Sequence, residues 1–268
     1  MPTQPVQAPV IFLDKPRRGR YPVFRATLPA VPRRAHLYIL PTLIMLRYWL
    51  AFNMVPGIGA RRLQKLIELF GDVKAAWEAP ADELALAGLD TRSLNNLLEM
   101  RQKLDLDAVE DGLKRHGITA ITWGDERYPA NLARVATCPP VLYIKGELLP
   151  EDEWAVAIVG TRKDTAYGRE CARRLSQDLA QAGVTIVSGL ARGIDAVAHH
   201  AALEAGGRTL AVLGNGLDRV YPPEHRGLAQ RILERGALIS EYAPGVRPEA
   251  RNFPARNRII SGLSLAVV

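Results

Sequence analysis

Cysteine is almost absent from this sequence of 268 residues, which contains only Cys138 and Cys171. The two lie far apart in the chain and have neither metal-ligand spacing nor the density of a disulfide framework. A small secreted scaffold held together by disulfides and a cysteine-ligated metal centre are therefore excluded. The sequence favours a reducing compartment, and we expect a cytoplasmic protein that binds no metal.

Long apolar runs are also missing. The stretch from Leu37 to Leu46 is apolar, but Pro41 interrupts it and Arg47 follows it. It is far shorter than the roughly 20 apolar residues that span a bilayer, and no small-residue cleavage site follows. We therefore expect neither a signal peptide nor a membrane partner.

Two phosphate-binding signatures are absent as well. A dinucleotide-binding fold requires G-x-G-x-x-G after its first strand, with an acidic residue about 20 positions later. Here the corresponding turn begins Gly160-Thr161-Arg162, and Arg162 stands where the second glycine would allow the pyrophosphate to approach. No Walker pattern occurs in the chain. The sequence disfavours NAD, and we expect no cofactor.

The net charge of +7 is unevenly distributed. Residues 1–41 carry +6, residues 42–159 carry −4 and residues 160–268 carry +5. The first segment also contains eight of the 19 prolines and no sustained hydrophobic period, so we predict that residues 1–41 form a disordered extension. Only the last segment combines a basic excess with a pattern that can fold, which suggests a nucleic-acid partner.

Residues 42–116 are predicted to form a helical domain of the helix-hairpin-helix or SAM-like type. Two amphipathic segments flank the turn at residues 55–59, whose sequence is V-P-G-I-G, and a weaker copy surrounds residues 87–90. Residues 94–113 are predicted to form one long helix. In such a unit the glycine turn presents N–H groups to a DNA phosphate. Because the segment is net acidic, we favour packing over DNA contact.

In residues 117–268, short apolar runs typical of buried strands alternate with helical patterns. We therefore expect an α/β fold, an extended Rossmann-like, doubly wound and mostly parallel sheet. The predicted strands are residues 118–123, 141–144, 155–159, 184–187, 209–213, 237–240 and 264–268, and the predicted helices are residues 168–182, a segment after 193, residues 224–235 and residues 257–262.

Two loops of small residues follow neighbouring strands at the edge where parallel sheets bind their ligands. Free N–H groups at a helix start favour an anion, and glycines let it approach closely. The same pattern suits an ordinary strand-to-helix turn, and the residues alone leave both interpretations open. The candidate phosphate-binding residues are Gly160, Thr161, Arg162, Ser188, Gly189, Leu190, Arg192 and Gly193.

A basic cluster with an aromatic residue lies nearer the carboxyl end. Phe253 is suited to stack on a base while the surrounding arginines track phosphates, a combination used to bind single strands. The alternative is a loop whose arginines face solvent while Phe253 packs inward. The candidate residues are Arg247, Arg251, Phe253, Arg256, Asn257 and Arg258.

Asp195 and His199 lie four residues apart on one helix face and Ser188 precedes them, a set of residue types that could form a hydrolytic site. Ser188 lacks the G-x-S-x-G elbow that exposes a nucleophile. An aspartate near a helix start is more often a cap. We therefore expect no catalytic residue in this chain.

Five motifs, taken together and in this order, resemble the DNA-processing protein A family (DprA, also called Smf). The resemblance extends over roughly residues 43–268. The motifs are A-I-V-G-T-R at 157–162, S-G-L-A-R-G-I-D at 188–195, A-V-L-G-N-G-L-D at 211–218, I-S-E-Y at 239–242 and F-P-A-R-N-R-I-I-S-G-L-S at 253–264.

The resemblance implies a Rossmann-like domain that binds and protects single-stranded DNA, forms a homodimer and helps to load a RecA-type recombinase during natural transformation. The family's DNA-contacting residues correspond to Arg162, Ser188, Gly189 and, approximately, Arg251. The basic tail is not part of the family pattern. The pattern also continues past residue 268, so we expect the domain to be incomplete at its carboxyl end.

Two other functions remain open on the sequence alone. The same loops would suit a nucleotide-binding hydrolase of the phosphoribohydrolase type, with Asp195 or Glu241 as the hydrolytic carboxylate. A protein-binding scaffold would bind neither DNA nor nucleotide. We favour a non-catalytic protein that binds single-stranded DNA with little base preference, because the candidate groups reach phosphates rather than base edges.

Overall fold

The computed structural model describes residues 42–268, with side chains from residue 45 onward. The predicted disorder of residues 1–41 lies outside the described residues. Six helices occupy the first part of the described chain, and three of them begin at an aspartate whose side chain accepts from a backbone N–H. They are α1 (Thr42–Met54), α2 (Ala60–Phe70), α3 (Val73–Glu78), α4 (Ala81–Leu86), α5 (Thr91–Lys103) and α6 (Leu106–Arg115).

The single helix predicted over residues 94–113 is wrong, because the structure divides it into α5 and α6. Leu104 has an extended backbone (φ −90°, ψ 119°) and ends α5. Asp105 then accepts hydrogen bonds from the N–H groups of Asp107 and Ala108 and starts α6. An N-terminal cap in the middle of a helical pattern is thus the physical reason for the break.

The predicted turn between α1 and α2, at residues 55–59, is present and packs against residues 90–93 at the start of α5. Gly57 has φ +93°, and a Cβ placed there would lie 2.5 Å from Oγ of Ser93. Arg62 donates to the carbonyl of Gly57 (2.7 Å), to Oγ of Ser93 (2.6 Å) and to the carboxylate of Asp90 (2.5 Å). This turn therefore packs against residues 90–93, and the preference for packing over DNA contact stays a prediction.

Within the described residues the strands form a seven-stranded sheet in the order β1-β2-β6-β5-β4-β3-β7. The pairs β1–β2 and β2–β6 are antiparallel, and the other four pairs are parallel. This confirms the predicted Rossmann-like, mostly parallel sheet. The strands are β1 (Thr119–Thr122), β2 (Val141–Gly146), β3 (Ala155–Ala157), β4 (Thr185–Ser188), β5 (Thr209–Val212), β6 (Ala237–Ser240) and β7 (Ala266–Val267).

Helices connect the parallel strands and cover the sheet, so that every residue of β4, β5 and β6 is buried. Helix α11 begins at residue 252, five residues before the predicted start, because Pro254 lies in its first turn, where no backbone N–H is required. The helices are α7 (Ala130–Ala133), α8 (Ala166–Gln181), α9 (Ile194–Glu204), α10 (Arg226–Leu233) and α11 (Asn252–Gly262), with 3-10 turns at Pro150–Glu153 and Pro223–His225.

The helical part and the sheet share one hydrophobic cluster. Trp49 and Phe52 of α1 belong to the same buried cluster as Tyr143 of β2 and Ala211 of β5. The hydroxyl of Tyr143 is 3.0 Å from Oδ1 of Asn53, and burial raises its pKa. A domain boundary near residue 116 stays a prediction. None of the helices in residues 42–268 has the length and apolar character needed to cross a bilayer.

Candidate nucleic-acid interface

The parallel strands β3 to β6 end at one edge of the sheet, so their following loops lie side by side. The turn after β3 rests on the start of α9. The N–H of Ile194 donates to the carbonyl of Thr161 (3.2 Å), and a Cβ on Gly160 would lie 2.7 Å from Ile194. Gly193 has φ +77°, and a Cβ there would lie 2.2 Å from the carbonyl oxygen of Thr161. This close approach requires glycine, and it leaves the side chain of Arg162 exposed.

The loop after β4 differs from the predicted phosphate-binding loop, because the carboxylate of Asp195 accepts hydrogen bonds from its backbone N–H groups. Asp195, 4% exposed, accepts from the N–H of Gly189 (3.1 Å) and the N–H of Ala191 (3.3 Å). Burial raises the pKa of Asp195 above its ordinary value, while nearby Arg256 and the loop amides oppose that shift. The amide of Gly189 is thus already hydrogen-bonded. The predicted capping role of Asp195 is wrong, because the N-cap position of α9 is Gly193, without a side-chain cap, and Asp195 instead bonds the loop that precedes the helix.

Two more candidate residues of this loop, Ser188 and Leu190, are also buried. Ser188 is fully buried, and its hydroxyl donates to the carbonyl of Ile158 (2.6 Å). Leu190 is fully buried with φ +57°, a conformation that leucine rarely adopts, and its carbonyl accepts from Nδ1 of His225 (2.9 Å). Arg192 alone is exposed, in an ion pair with Glu224 at 2.5 Å. The loop therefore presents one cation rather than a row of free amides.

Arg256 is buried, although the sequence suggested a solvent-facing residue. It is 4% exposed, and its Nη1 donates to the carbonyl of Gly189 (2.6 Å) and to the carbonyl of Val212. Burial lowers the pKa of its guanidinium, Asp195 opposes that shift and Arg162 adds to it. Because α11 starts early, Arg256 lies on the helix face that packs against the sheet, where it links the loop after β4 to the end of β5.

Arg258 is likewise engaged within the protein. Its two terminal nitrogens each lie 2.6 Å from an oxygen of Glu241, and its Nε donates to the carbonyl of Thr137 (2.9 Å). Burial lowers the pKa of Arg258, and its hydrogen bonds to Glu241 more than offset that effect, so the net shift is upward. The bidentate pair therefore neutralises both Arg258 and the carboxylate that a hydrolase would require.

A stack of three side chains lies at the same edge of the sheet, with Arg162 and Tyr221 exposed and Phe253 half-buried between them. The guanidinium carbon of Arg162 is 5.4 Å from the centre of the Phe253 ring, and the ring of Tyr221 is 5.6 Å from Phe253 between centres. A Cβ on Gly214 would lie 3.0 Å from Phe253, so a glycine makes room for the ring. We call Arg162, Phe253 and Tyr221 the aromatic stack. It combines a cation with π faces, as single-strand binding sites do.

The remaining candidates lie on the surface. Arg251, 82% exposed at its side chain, forms an ion pair with Glu249 at 2.8 Å. Arg247, Asn257 and Thr161 are exposed. The sequence analysis did not select Tyr221. An exposed position in a loop has no hydrophobic periodicity, so only the structure shows that Tyr221 lies against Phe253.

Ser188 and His199 do not form a hydrolytic pair, because each has a different hydrogen-bond partner. Nδ1 of His199 is 2.7 Å from Oγ1 of Thr209, whose hydroxyl donates to the carbonyl of Ile186 (2.7 Å). This assigns the Nδ1–H tautomer to a neutral imidazole. Burial lowers the pKa of His199 to about 3. Ser188 and His199 thus have separate partners. Residues 42–268 also contain no cluster of three or more acidic, histidine or cysteine side chains placed to hold a metal ion.

Comparison with known proteins shows the family to which this chain belongs. The family model of DNA recombination-mediator protein A matches residues 119–268, which is more than half of the sequence. The chain belongs to this family. It is similar to Protein Smf of Synechocystis, at 41% identity over 82% of this chain and 57% of the relative, and to DNA processing protein DprA of Bacillus subtilis, at 40% identity over 61% and 55%. It therefore spans less than three fifths of the length of the curated relatives it matches.

Two solved structures of DprA proteins resemble this one. DprA from Streptococcus pneumoniae superposes with a TM-score of 0.69 at 32% identity, covering 82% of this chain and 75% of that one. DNA processing protein A from Helicobacter pylori, whose structure describes a single-stranded DNA binding mode, gives a TM-score of 0.51 at 32% identity, covering 56% and 67%. Both support the Rossmann-like fold of the DprA/Smf family.

Proposed function

We propose that this protein binds single-stranded DNA, with little base preference, along the carboxyl ends of the parallel strands, and protects it during transformation and recombination. The observation that carries the proposal is the aromatic stack. Its rings offer π faces to bases of any sequence, and its guanidinium offers charge to the adjacent phosphate. Membership of the DprA/Smf family and the DNA-binding relative from Helicobacter pylori support the choice of ligand.

The arginines divide into two roles in this proposal. Arg162, Lys163, Arg192 and Arg251 are exposed and neutralise phosphates. Arg256 and Arg258, whose guanidinium groups bond to carbonyls and to Glu241, position the loops that present these cations. Gly160 and Gly193 act in the same way, since their close contacts hold the turn that carries Arg162.

Fluorescence anisotropy of the full chain with labelled oligo-dT over a salt series tests this site. With four phosphates neutralised, the slope of the logarithm of the binding constant against the logarithm of the salt concentration is expected near −3, about −0.7 per contact. Arg162→Ala should reduce the slope by about 0.7. Arg174→Ala, which removes a 73% exposed arginine from α8, is the matched control and should leave the slope unchanged. Equal binding by both variants would place DNA elsewhere, including on the basic tail.

We also propose that the protein forms a homodimer through its Rossmann-like domain and helps to load a RecA-type recombinase. Family membership supports both statements. Sedimentation velocity of the full chain tests the dimer. Assembly of the recombinase on strands coated with single-strand-binding protein tests the loading, and equal assembly rates with and without this protein would contradict it.

We propose a binding role without catalysis. The bidentate bond of Glu241 to Arg258 and the separate partners of Ser188 and His199 support this choice. Incubation with nucleotides and chromatography for a nucleoside 5′-monophosphate is the test. A product that accumulates with the parent and is lost in Asp195→Asn would favour the hydrolase instead.

A further inference from the structure

A tyrosine outside the aromatic stack is more exposed than any other aromatic side chain that the structure describes. Tyr167 is the second residue of α8 and 81% exposed, against 40% for Tyr221. A ring in that position contributes almost nothing to the core, although its burial would be favourable. Its exposed faces are therefore available to a ligand.

Tyr167 lies at the same edge of the sheet as the aromatic stack. Thr165 caps α8 by accepting from the N–H of Gly168 (3.1 Å). A Cβ on Gly168 would lie 3.9 Å from Ile194, and Ile194 packs against Gly160 in the turn after β3. The first turn of α8 thus sits beside the turn that presents Arg162.

The chain length between them limits how far apart the two sites can be. Tyr167 follows Arg162 by five positions, so their Cα atoms lie at most about 18 Å apart. Lys163, exposed in the intervening segment, places a second cation between them. Asp164, the acid in this segment, is neutralised by Arg169 at 2.7 Å. The surface from the aromatic stack to Tyr167 is therefore cationic and ends at an aromatic ring.

We propose that Tyr167 is a second stacking platform, on which a base of the bound single strand lies after the strand has crossed Arg162 and Lys163. This inference rests on the proposed function. It gives the strand a direction, from Tyr221 and Phe253 toward the first turn of α8. Because each base has a π face, the second platform adds affinity without adding sequence preference.

The test compares two probes of equal length bound to the full chain, labelled oligo-dT and an oligomer of abasic sites. Tyr167→Ala should weaken oligo-dT binding about five- to tenfold and leave abasic binding unchanged, because only the former has bases to stack. Tyr167→Phe should bind like the parent. Trp154→Ala is the matched control: Trp154 is 54% exposed but precedes β3, at the opposite edge of the sheet.

The outcomes separate this inference from the proposed function. Unchanged oligo-dT affinity in Tyr167→Ala, with a clear loss in Arg162→Ala, overturns the second platform and keeps the first site. An equal loss on both probes also overturns it, because the effect would then not come from stacking. If neither Arg162→Ala nor Tyr167→Ala alters binding, the proposed site itself fails.

Discussion

Replacing Arg256 and Arg162 separately by methionine distinguishes an arginine that holds the loops together from one that we propose to contact DNA. Methionine retains much of the length of the side chain and removes the charge and the donors. Arg256 is 4% exposed, whereas Arg162 is exposed. The two substitutions are chemically identical, so any difference between them comes from position.

The expected loss in Arg256→Met follows from its contacts. The carbonyls of Gly189 and Val212 lose their donor, and the buried carboxylate of Asp195 loses the nearby cation. Removing one member of a buried charged group costs about 3–5 kcal/mol. For a chain of this size that loss lowers Tm by roughly 6–20 °C. Arg162→Met, at an exposed position, should change stability by less than about 0.5 kcal/mol.

Two assays measure the two effects. Urea unfolding followed by circular dichroism gives the free energy of unfolding, with an unchanged m-value as the check that only stability has changed. Anisotropy with oligo-dT, at a temperature where both variants are folded, gives the salt slope. In Arg162→Met the magnitude of the salt slope should decrease by about 0.7, whereas in Arg256→Met the slope should be unchanged. Parent-like stability together with a reduced slope in Arg256→Met would refute the reasoning and place Arg256 on a phosphate.

Two further predictions concern a buried histidine and a strained glycine. The pKa of His199 in the folded protein is about 3, below its ordinary 6.5. Between these values the unfolded chain binds more protons, so the free energy of unfolding should fall by about 1.4 kcal/mol per pH unit as the pH drops below 6.5. In urea titrations at several pH values His199→Gln should lack this decrease, and the same pH dependence in the variant and the parent would contradict the prediction. Gly193→Ala, whose Cβ would meet the carbonyl of Thr161 at 2.2 Å, should cost about 1–3 kcal/mol and weaken oligo-dT binding by displacing Arg162. Gly183→Ala, also at positive φ (+81°) but with no atom within 4 Å, should lose stability alone, and equal DNA binding by the two variants would argue against the displacement.

The sheet was predictable because its strands are short, apolar and separated by glycine-rich turns. The run from residue 184 to 187 becomes β4 (Thr185–Ser188), and residues 237–240 form β6 as predicted. Helix boundaries were less accessible where local signals compete. Asp105 starts a new helix inside an unbroken helical pattern, and Pro254 resembles a helix breaker yet stands in the first turn of α11.

The sequence was sufficient to bring the candidate loops together at one edge of the sheet, but it did not show which of their side chains face solvent. Parallel strand ends place these loops side by side, whereas the packing of α11 decides the burial of each side chain. Arg256 and Arg162 are both arginines among small residues. Packing alone buries Arg256 between α11 and the sheet and leaves Arg162 exposed to solvent. Tyr221 meets Phe253 through a contact 32 positions apart in sequence, which no local pattern encodes.

The position of Asp195 affects which molecules can compete for this surface. Its carboxylate accepts from the amides of Gly189 and Ala191, so these two N–H groups are not free to bind a lone phosphate. Inorganic phosphate and free nucleotides then meet only separate surface cations, each of which binds a small ion weakly. A polymer engages several of those cations at once and gains from their effective concentration. Under the proposed function, we therefore expect this surface to select long polyanions over small ones.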